Sequence, residues 1–111
     1  ERRNVLIAAD DRSEPVGYAV AYLLDRVDQP GPMLLLYEIE VAVGRRRQGI
    51  GRALLRKVLE LAEGRRSVKV WVVADPSNAA ARALYAGSGA GEPNGALLYA
   101  WLPSDLSRIV G

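Results

Sequence analysis

Two apolar runs separated by a polar segment in the first third of the chain predict a β-hairpin. Residues 4–9 and 16–24 are two apolar runs, and the polar residues 10–15 between them are typical of a turn. Residues 25–32 include Pro-Gly-Pro, which predicts a loop. The chain therefore begins with two neighbouring strands and a loop that leads out of the second.

A long strand is predicted next, at residues 33–43. Its second half alternates, and because successive side chains of a strand point to opposite faces, its two faces differ in chemistry. One face carries Ile39, Val41 and Val43, and the other carries Glu38, Glu40 and Ala42. The two glutamates are thus expected to point the same way.

The apolar period changes to that of a helix after Gly49. Apolar residues recur at helical spacing as far as Gly64, and Arg and Lys occupy the exposed positions. Residues 68–74 are then apolar on both faces after Lys69, which predicts a buried strand. Strands that alternate with helices in this way predict an α/β fold.

The last third of the chain predicts one more helix and one more strand. An alanine-rich helix is expected to begin at a cap formed by Ser77 or Asn78 and to end near Ala86, where a glycine-rich stretch follows. Residues 96–102 predict a final strand. Residues 103–111 show no clear pattern.

Composition narrows the class of protein. The chain has 111 residues, half of them hydrophobic and a quarter charged, which predicts one folded domain spanning residues 1–111. No apolar run approaches the roughly 18 residues that a membrane helix needs, and no secretory signal is evident. We therefore expect a cytoplasmic protein without a membrane partner.

The absence of both cysteine and histidine removes several chemistries. Disulfides, a thiolate nucleophile, an imidazole base and an ordinary zinc or copper site are all excluded, so we expect no metal. The formal net charge of +2 is too small to argue for nucleic acid. The positive charge is nevertheless clustered, in a way that suits a small polyanion, at Arg45, Arg46, Arg47, Arg52, Arg56 and Lys57.

The cluster surrounds a glycine-spaced turn that joins the long strand to the first helix, within residues 41–55. The first N–H groups of a helix have no partner inside it, and the helix dipole adds positive charge there, so a phosphate is a natural occupant. A P-loop would need Lys and then Ser or Thr at Ile50 and Gly51. A dinucleotide fingerprint would need glycine at Leu54. Because these residues are missing, the sequence argues against both a P-loop and a dinucleotide-binding turn.

The turn resembles the acyl-coenzyme A turn of the GCN5-related N-acetyltransferases (GNAT), whose signature falls here on Arg46, Gly49 and Gly51. Residues 78–89 resemble a later element of the same family, with Asn, then Ala, then Leu-Tyr, then Gly. The resemblance implies the GNAT fold, an α/β fold with a mixed, mostly antiparallel central sheet flanked by helices. Family members normally begin with a strand and two helices that precede residue 4, so we expect an N-terminally incomplete version.

The resemblance also implies acetyl-coenzyme A as cofactor. Its diphosphate is expected on the turn, at Arg46, Arg47, Gln48, Gly49, Ile50, Gly51 and Arg52. Its pantetheine arm is expected along the main chain of Val41, Ala42 and Val43 and beside Asn78, Ala81 and Tyr85. Asn78 as a helix cap is a competing interpretation, and the two roles can coexist.

Amide formation from a thioester needs a base for the amine and an acid for the leaving sulfur. Glu38 and Glu40 are the only carboxylates on the strand beside the turn, and either is a candidate base, directly or through water. Tyr85 is the candidate acid, since a phenol with a pKa near 10 stays protonated at neutral pH. Without histidine to activate a serine, we expect direct transfer.

A closer resemblance, over residues 14–22, 28–30, 40–43 and 46–50, is to the aminoglycoside 3-N-acetyltransferases. It implies an aminoglycoside such as gentamicin as the acceptor, acetylation of its 3-amino group, and a role in antibiotic resistance. Three alternatives stay open: another amine (a protein N-terminus, lysine, polyamine or metabolite), a noncatalytic module that binds acetyl-coenzyme A, or a basic domain that binds nucleic acid. A homodimer that completes the cleft is also compatible with the sequence.

Overall fold

The computed structural model describes residues 3–25 and 27–111. Within them the chain forms four strands, three α-helices and a short 3-10 helix at Val43–Arg45. In chain order these are β1 (Asn4–Asp11), β2 (Glu14–Leu24), β3 (Met33–Val41), α1 (Ile50–Gly64), β4 (Lys69–Val72), α2 (Ala79–Gly87) and α3 (Pro103–Val110).

The strands form one mixed sheet in the order β1-β2-β3-β4. β1 pairs with β2 and β2 with β3 antiparallel, whereas β3 pairs with β4 parallel, through a crossover that contains α1. The α/β class and the mixed, mostly antiparallel sheet flanked by helices are thus confirmed. The hairpin is confirmed too, although its turn is only Arg12 and Ser13, both with positive φ, instead of six residues.

The core lies between the sheet and α1. Helix α1 has the predicted bounds, and its apolar stripe packs on one face of β2 and β3. The buried residues that form this core are Ala19, Ala21, Leu23, Leu34, Leu36, Leu54, Leu55, Val58 and Ala62. The sheet face that α1 covers is therefore fixed, and the other face, called the open face below, carries Leu6, Tyr18, Glu38 and Glu40.

A bulge in β3 decides which residues point to the open face. Val20 pairs with Glu38 while Ala21 pairs with Leu36, so Tyr37 is an extra residue between them. A strand without it would place Leu36 and Glu38 on the same face, because side chains alternate. With the bulge, Leu34 and Leu36 before it and Ile39 and Val41 after it all face α1, and the glutamates face away from the core.

Removing part of a core side chain should cost stability in proportion to its burial. Leu34 is fully buried between β3 and α1, so Leu34→Ala is expected to lower the free energy of unfolding by about 2–5 kcal/mol. The control is Leu6→Ala on the open face, where the leucine is 70 % exposed and the expected change is below about 0.5 kcal/mol. Urea unfolding followed by circular dichroism measures both, and equal losses would refute this placement of the core.

The predicted strand at residues 33–43 is too long. β3 ends at Val41, after which the Ala42 N–H donates to the Val16 carbonyl at 2.8 Å and a 3-10 helix begins. Val43, expected on the strand beside the cofactor, is therefore exposed in the 3-10 turn.

The strand predicted at residues 68–74 is also too long, and the prediction that it is buried was wrong. β4 covers Lys69–Val72 only and lies at the sheet edge, paired on one side with β3. Because one side of β4 is unpaired, its residues are exposed or half-buried, and Val68 and Val73 are exposed.

Both predictions for the C-terminal residues, a strand at 96–102 and no clear structure at 103–111, were wrong. Residues 96–102 form no strand and, with 91–95, are exposed throughout. Residues 103–111, expected to lack structure, contain helix α3. Its start has recognisable signals: Pro103 occupies the first turn, and an Asp105 carboxylate oxygen accepts a 3.0 Å hydrogen bond from the Leu102 N–H.

Across residues 3–25 and 27–111, none of the helices has both the length and the apolar character that a membrane span requires.

Candidate active site

The turn before α1 leaves backbone N–H groups available for an anion. Gly49 precedes the helix in the left-handed conformation, with φ +83°, and Arg47 has φ +64°. No side chain caps α1, so the first N–H groups, from Ile50 onward, are not satisfied by the protein in the way that a capped helix would satisfy them. These groups and the helix dipole fit a phosphate, and the residues present therefore fit the diphosphate of coenzyme A.

The arginines of the turn have different surroundings. Arg45 forms a 2.6 Å ion pair with Asp11 at the end of β1 and donates at 3.3 Å to the Gln48 side chain. Arg46 donates from Nε to the Val41 carbonyl at 3.2 Å. These contacts tie the turn to β1 and β3. Arg45 and the Gln48 side chain thus brace the turn, and the Arg46 Nε holds the turn to the end of β3.

The Asp11–Arg45 pair predicts a specific effect on cofactor binding. Both side chains are partly exposed, so Asp11→Asn should change the free energy of unfolding by less than about 1 kcal/mol. It should nevertheless raise the KM for acetyl-coenzyme A about threefold, because an untethered turn loses order that binding must restore. Steady-state kinetics with Asp10→Asn as control, which removes the same charge one residue away, checks this. Equal KM values for the two variants would argue against bracing.

Three elements converge beside the turn. A methyl group added at Gly51 would lie 3.6 Å from Leu84 of α2 and 3.7 Å from Val41 of β3. One added at Gly17 of β2 would lie 2.8 Å from the Glu40 carbonyl and 3.2 Å from Ile50, at the start of α1. The end of β3, the start of α1 and the middle of α2 are therefore in close contact, as a shared binding site requires.

Tyr85 follows Leu84 on α2 and is half-buried against the core cluster. Burial raises the pKa of its phenol above the ordinary value of 10.0. The group is therefore protonated at neutral pH and can donate a proton. Its chemistry fits the acid that the sequence assigned to it.

The start of α2 is held by its own side chains. The Asn78 side-chain oxygen accepts a 3.0 Å hydrogen bond from the Ala81 N–H, so the capping interpretation of Asn78 is confirmed. Just before it, Asp75 accepts from the N–H and the hydroxyl of Ser77 at 2.8 and 2.7 Å, and these bonds lower the Asp75 pKa. The Ala81 N–H is thereby occupied, which leaves the Asn78 amide nitrogen as the group free to contact a pantetheine arm.

An open cavity of about 670 Å³ lies between the open face and the turn. Its lining includes Tyr18, Glu40, Val41, Ala42, Val43 and Arg46. The structure thus brings one of the two predicted glutamates together with the strand end and the turn. Glu38 lies two residues along the same face and accepts a 2.9 Å hydrogen bond from the Tyr18 hydroxyl, and it is not among the described residues that line the cavity.

Three residues that matter to this geometry were missed by the sequence reasoning. Tyr18 contacts Glu38, Asp11 contacts the turn, and Gly17 lets β3 and α1 approach β2. Alternation along β2 places Tyr18 and Gly17 on opposite faces. The contacts themselves depend on the strand register and the β3 bulge, for which the sequence carries no clear signal.

Comparison with known proteins identifies the family of the chain. A model of the acetyltransferase (GNAT) family matches residues 1–90. The chain therefore belongs to the acetyltransferase (GNAT) family, and it is an acetyltransferase whose family uses acetyl-coenzyme A. The match ends at residue 90, and the next residues, 91–102, are exposed and form no helix or strand. A comparison with curated protein sequences found no match.

Several solved structures share the fold. An aminoglycoside acetyltransferase, HMB0005, from an uncultured soil metagenomic sample is 31 % identical, with a TM-score of 0.80, covering 93 % of this chain and 67 % of that one. Another from such a sample, meta-AAC0020 in complex with sisomicin, is 21 % identical, with a TM-score of 0.84 and coverage of 92 % and 68 %. Aminoglycoside N-acetyltransferase AAC(6')-Iy in complex with CoA is 18 % identical, with a TM-score of 0.79 and coverage of 92 % and 78 %.

Proposed function

We propose that this chain, acting as one domain over residues 1–111, transfers an acetyl group directly to a primary amine, and that the amine is the 3-amino group of an aminoglycoside. The observation that carries the proposal is the cavity that joins Glu40 to the strand end and the phosphate-binding turn. The 31 % identity to an aminoglycoside acetyltransferase supports the acceptor class.

The turn and the end of β3 are the proposed cofactor site. The backbone N–H groups of residues 46–52 and the Arg46 side chain hold the diphosphate, and the main chain of Val41 and Ala42 lies beside the pantetheine arm, with Asn78 and Tyr85 on the α2 side. When bound, acetyl-coenzyme A supplies the acetyl thioester. Val43, exposed in the 3-10 turn, contributes through the cavity wall rather than through a strand ladder.

The other proposed site residues accept and donate protons during the transfer. A carboxylate of the Glu38 and Glu40 pair accepts the proton that the amine loses, and the Tyr85 phenol donates one to the leaving sulfur. The carboxylates face the open side of the sheet and Tyr85 lies on α2, on the side of the core. Base and acid therefore approach the end of β3 from different elements, which keeps the two proton transfers apart.

The test is thiol release from acetyl-coenzyme A with a panel of acceptors: gentamicin, spermidine and a peptide with a free N-terminus. We expect the highest kcat/KM with gentamicin, and the acetylated position is read from the product by NMR. Preference for spermidine or the peptide would replace the aminoglycoside by another amine. Binding of the cofactor without thiol release from any acceptor would indicate a noncatalytic module, and binding to nucleic acid with a steep salt dependence would indicate the basic-domain alternative.

A further inference from the structure

Tyr18 lies beside both glutamates of the open face and contacts one of them. It lies on β2 directly opposite Glu40 of β3, and its hydroxyl donates to Oε2 of Glu38 at 2.9 Å. Directly paired residues of antiparallel strands point to the same face. The β3 bulge at Tyr37 is what brings both carboxylates to that face, because it reverses the alternation between Leu36 and Glu38.

The two glutamates differ in what surrounds them. Glu40 is exposed and lines the cavity together with Arg46 and the end of β3. Glu38 is half-buried, and one of its carboxylate oxygens is engaged by Tyr18. Tyr18 itself lines the cavity. Only one of the two carboxylates is therefore open to a reacting amine in the cavity, and the other is held from the side by a tyrosine.

The Tyr18 hydroxyl is a persistent donor. Its hydrogen bond to Glu38 raises the Tyr18 pKa above the ordinary value, and burial and the negative charges of Glu38 and Glu40 raise it further. The phenol thus stays protonated at neutral pH. A neutral donor to an ionised carboxylate forms a charge-assisted hydrogen bond, which is stronger than a neutral one.

We propose that Tyr18 is a positioning residue that separates the roles of Glu38 and Glu40 in the acetyl transfer, a role that rests on the proposed function. Tyr18 fixes the Glu38 carboxylate as a stationary anion that orients the cationic acceptor. Glu40 takes one proton from the amine as the C–N bond forms. The C–S bond breaks with its electron pair on sulfur, which takes the proton of Tyr85.

The test compares steady-state kinetics of four variants of the full chain with gentamicin as acceptor. Tyr18→Phe and Glu38→Gln should each raise the acceptor KM about fivefold, the size expected for one net hydrogen bond, with kcat within about twofold. Glu40→Gln should instead lower kcat about a hundredfold, as expected for loss of a general base. Tyr22→Phe, which removes a hydroxyl from the same strand and face, is the matched control and should leave both constants unchanged.

The double variant Tyr18→Phe/Glu38→Gln should raise KM no further than Glu38→Gln alone, because the tyrosine acts through that carboxylate. Calorimetric binding of gentamicin should weaken in parallel, whereas the KM for acetyl-coenzyme A should not change. Additive effects in the double variant, a kcat loss in Tyr18→Phe equal to that in Glu40→Gln, or equal KM values for Tyr18→Phe and Tyr22→Phe would each overturn the role of Tyr18. A wild-type chain that releases no thiol with any acceptor would instead refute the proposed function.

Discussion

Tyr85→Phe is expected to lower kcat by about tenfold or more, the usual cost of losing a positioned acid. The phenol is half-buried on α2, and its ring packs with the core cluster. Phenylalanine keeps the ring and removes only the proton donor, so the fold and the affinity for acetyl-coenzyme A should be nearly unchanged. Stopped thiol-release assays and thermal unfolding separate these effects.

The role of Tyr85 as the acid also predicts how kcat depends on pH. Burial raises the Tyr85 pKa above 10.0, so the neutral phenol is present throughout the neutral range and is lost only as the pH rises through that raised pKa. Wild-type kcat should therefore fall on the strongly alkaline side, and Tyr85→Phe should lack this fall. Tyr99→Phe is the matched control, because Tyr99 is exposed and lies within residues 91–102, which form no helix or strand. Equal kcat for both variants would remove Tyr85 from the mechanism.

Gly49→Ala is expected to raise the Kd for coenzyme A about tenfold. Gly49 has φ +83°, a left-handed conformation that costs an L-residue about 1–2 kcal/mol. A methyl group there meets no atom within 4 Å, so the effect arises from the backbone and not from a clash. If the turn relaxes to relieve the strain, the N–H groups that face the diphosphate turn away from it.

Gly44→Ala is the matched control for that variant. Gly44 lies in the neighbouring 3-10 helix, an added methyl group also meets nothing within 4 Å, and its φ is not among the positive ones. It should leave the Kd for coenzyme A unchanged. If both variants bind coenzyme A as the wild type does, the conformation of Gly49 is irrelevant to cofactor binding.

Local patterns predicted the elements whose partners are close in sequence. The hairpin of β1 and β2, the bounds of α1 and the Asn78 cap of α2 each follow from period, turn chemistry or a capping side chain. The mixed sheet was implied by the resemblance to the family. These features depend on interactions within a few residues or on a motif that can be matched directly.

Features that depend on distant partners were not predictable. The bulge at Tyr37 is visible only in the pairing of β2 with β3. Residues 96–102 have the composition of a strand, but a strand forms only where an edge accepts it. The site was predictable only in part for the same reason. Glu38 and Glu40 lie on one strand and could be proposed from its alternation, whereas the contact of Tyr18 with Glu38 depends on how β2 pairs with β3.

We propose that the backbone N–H groups of residues 46–52 bind the diphosphate of coenzyme A. This is tested by isothermal titration calorimetry of the full chain with coenzyme A and, separately, with pantetheine, which has the same arm without the phosphates. We predict saturable binding of coenzyme A that weakens with added salt, and at least tenfold weaker binding of pantetheine, since each net charge-assisted hydrogen bond contributes about 1.5–3 kcal/mol. Equal affinity for the two compounds, or no heat of binding with either, would contradict the claim.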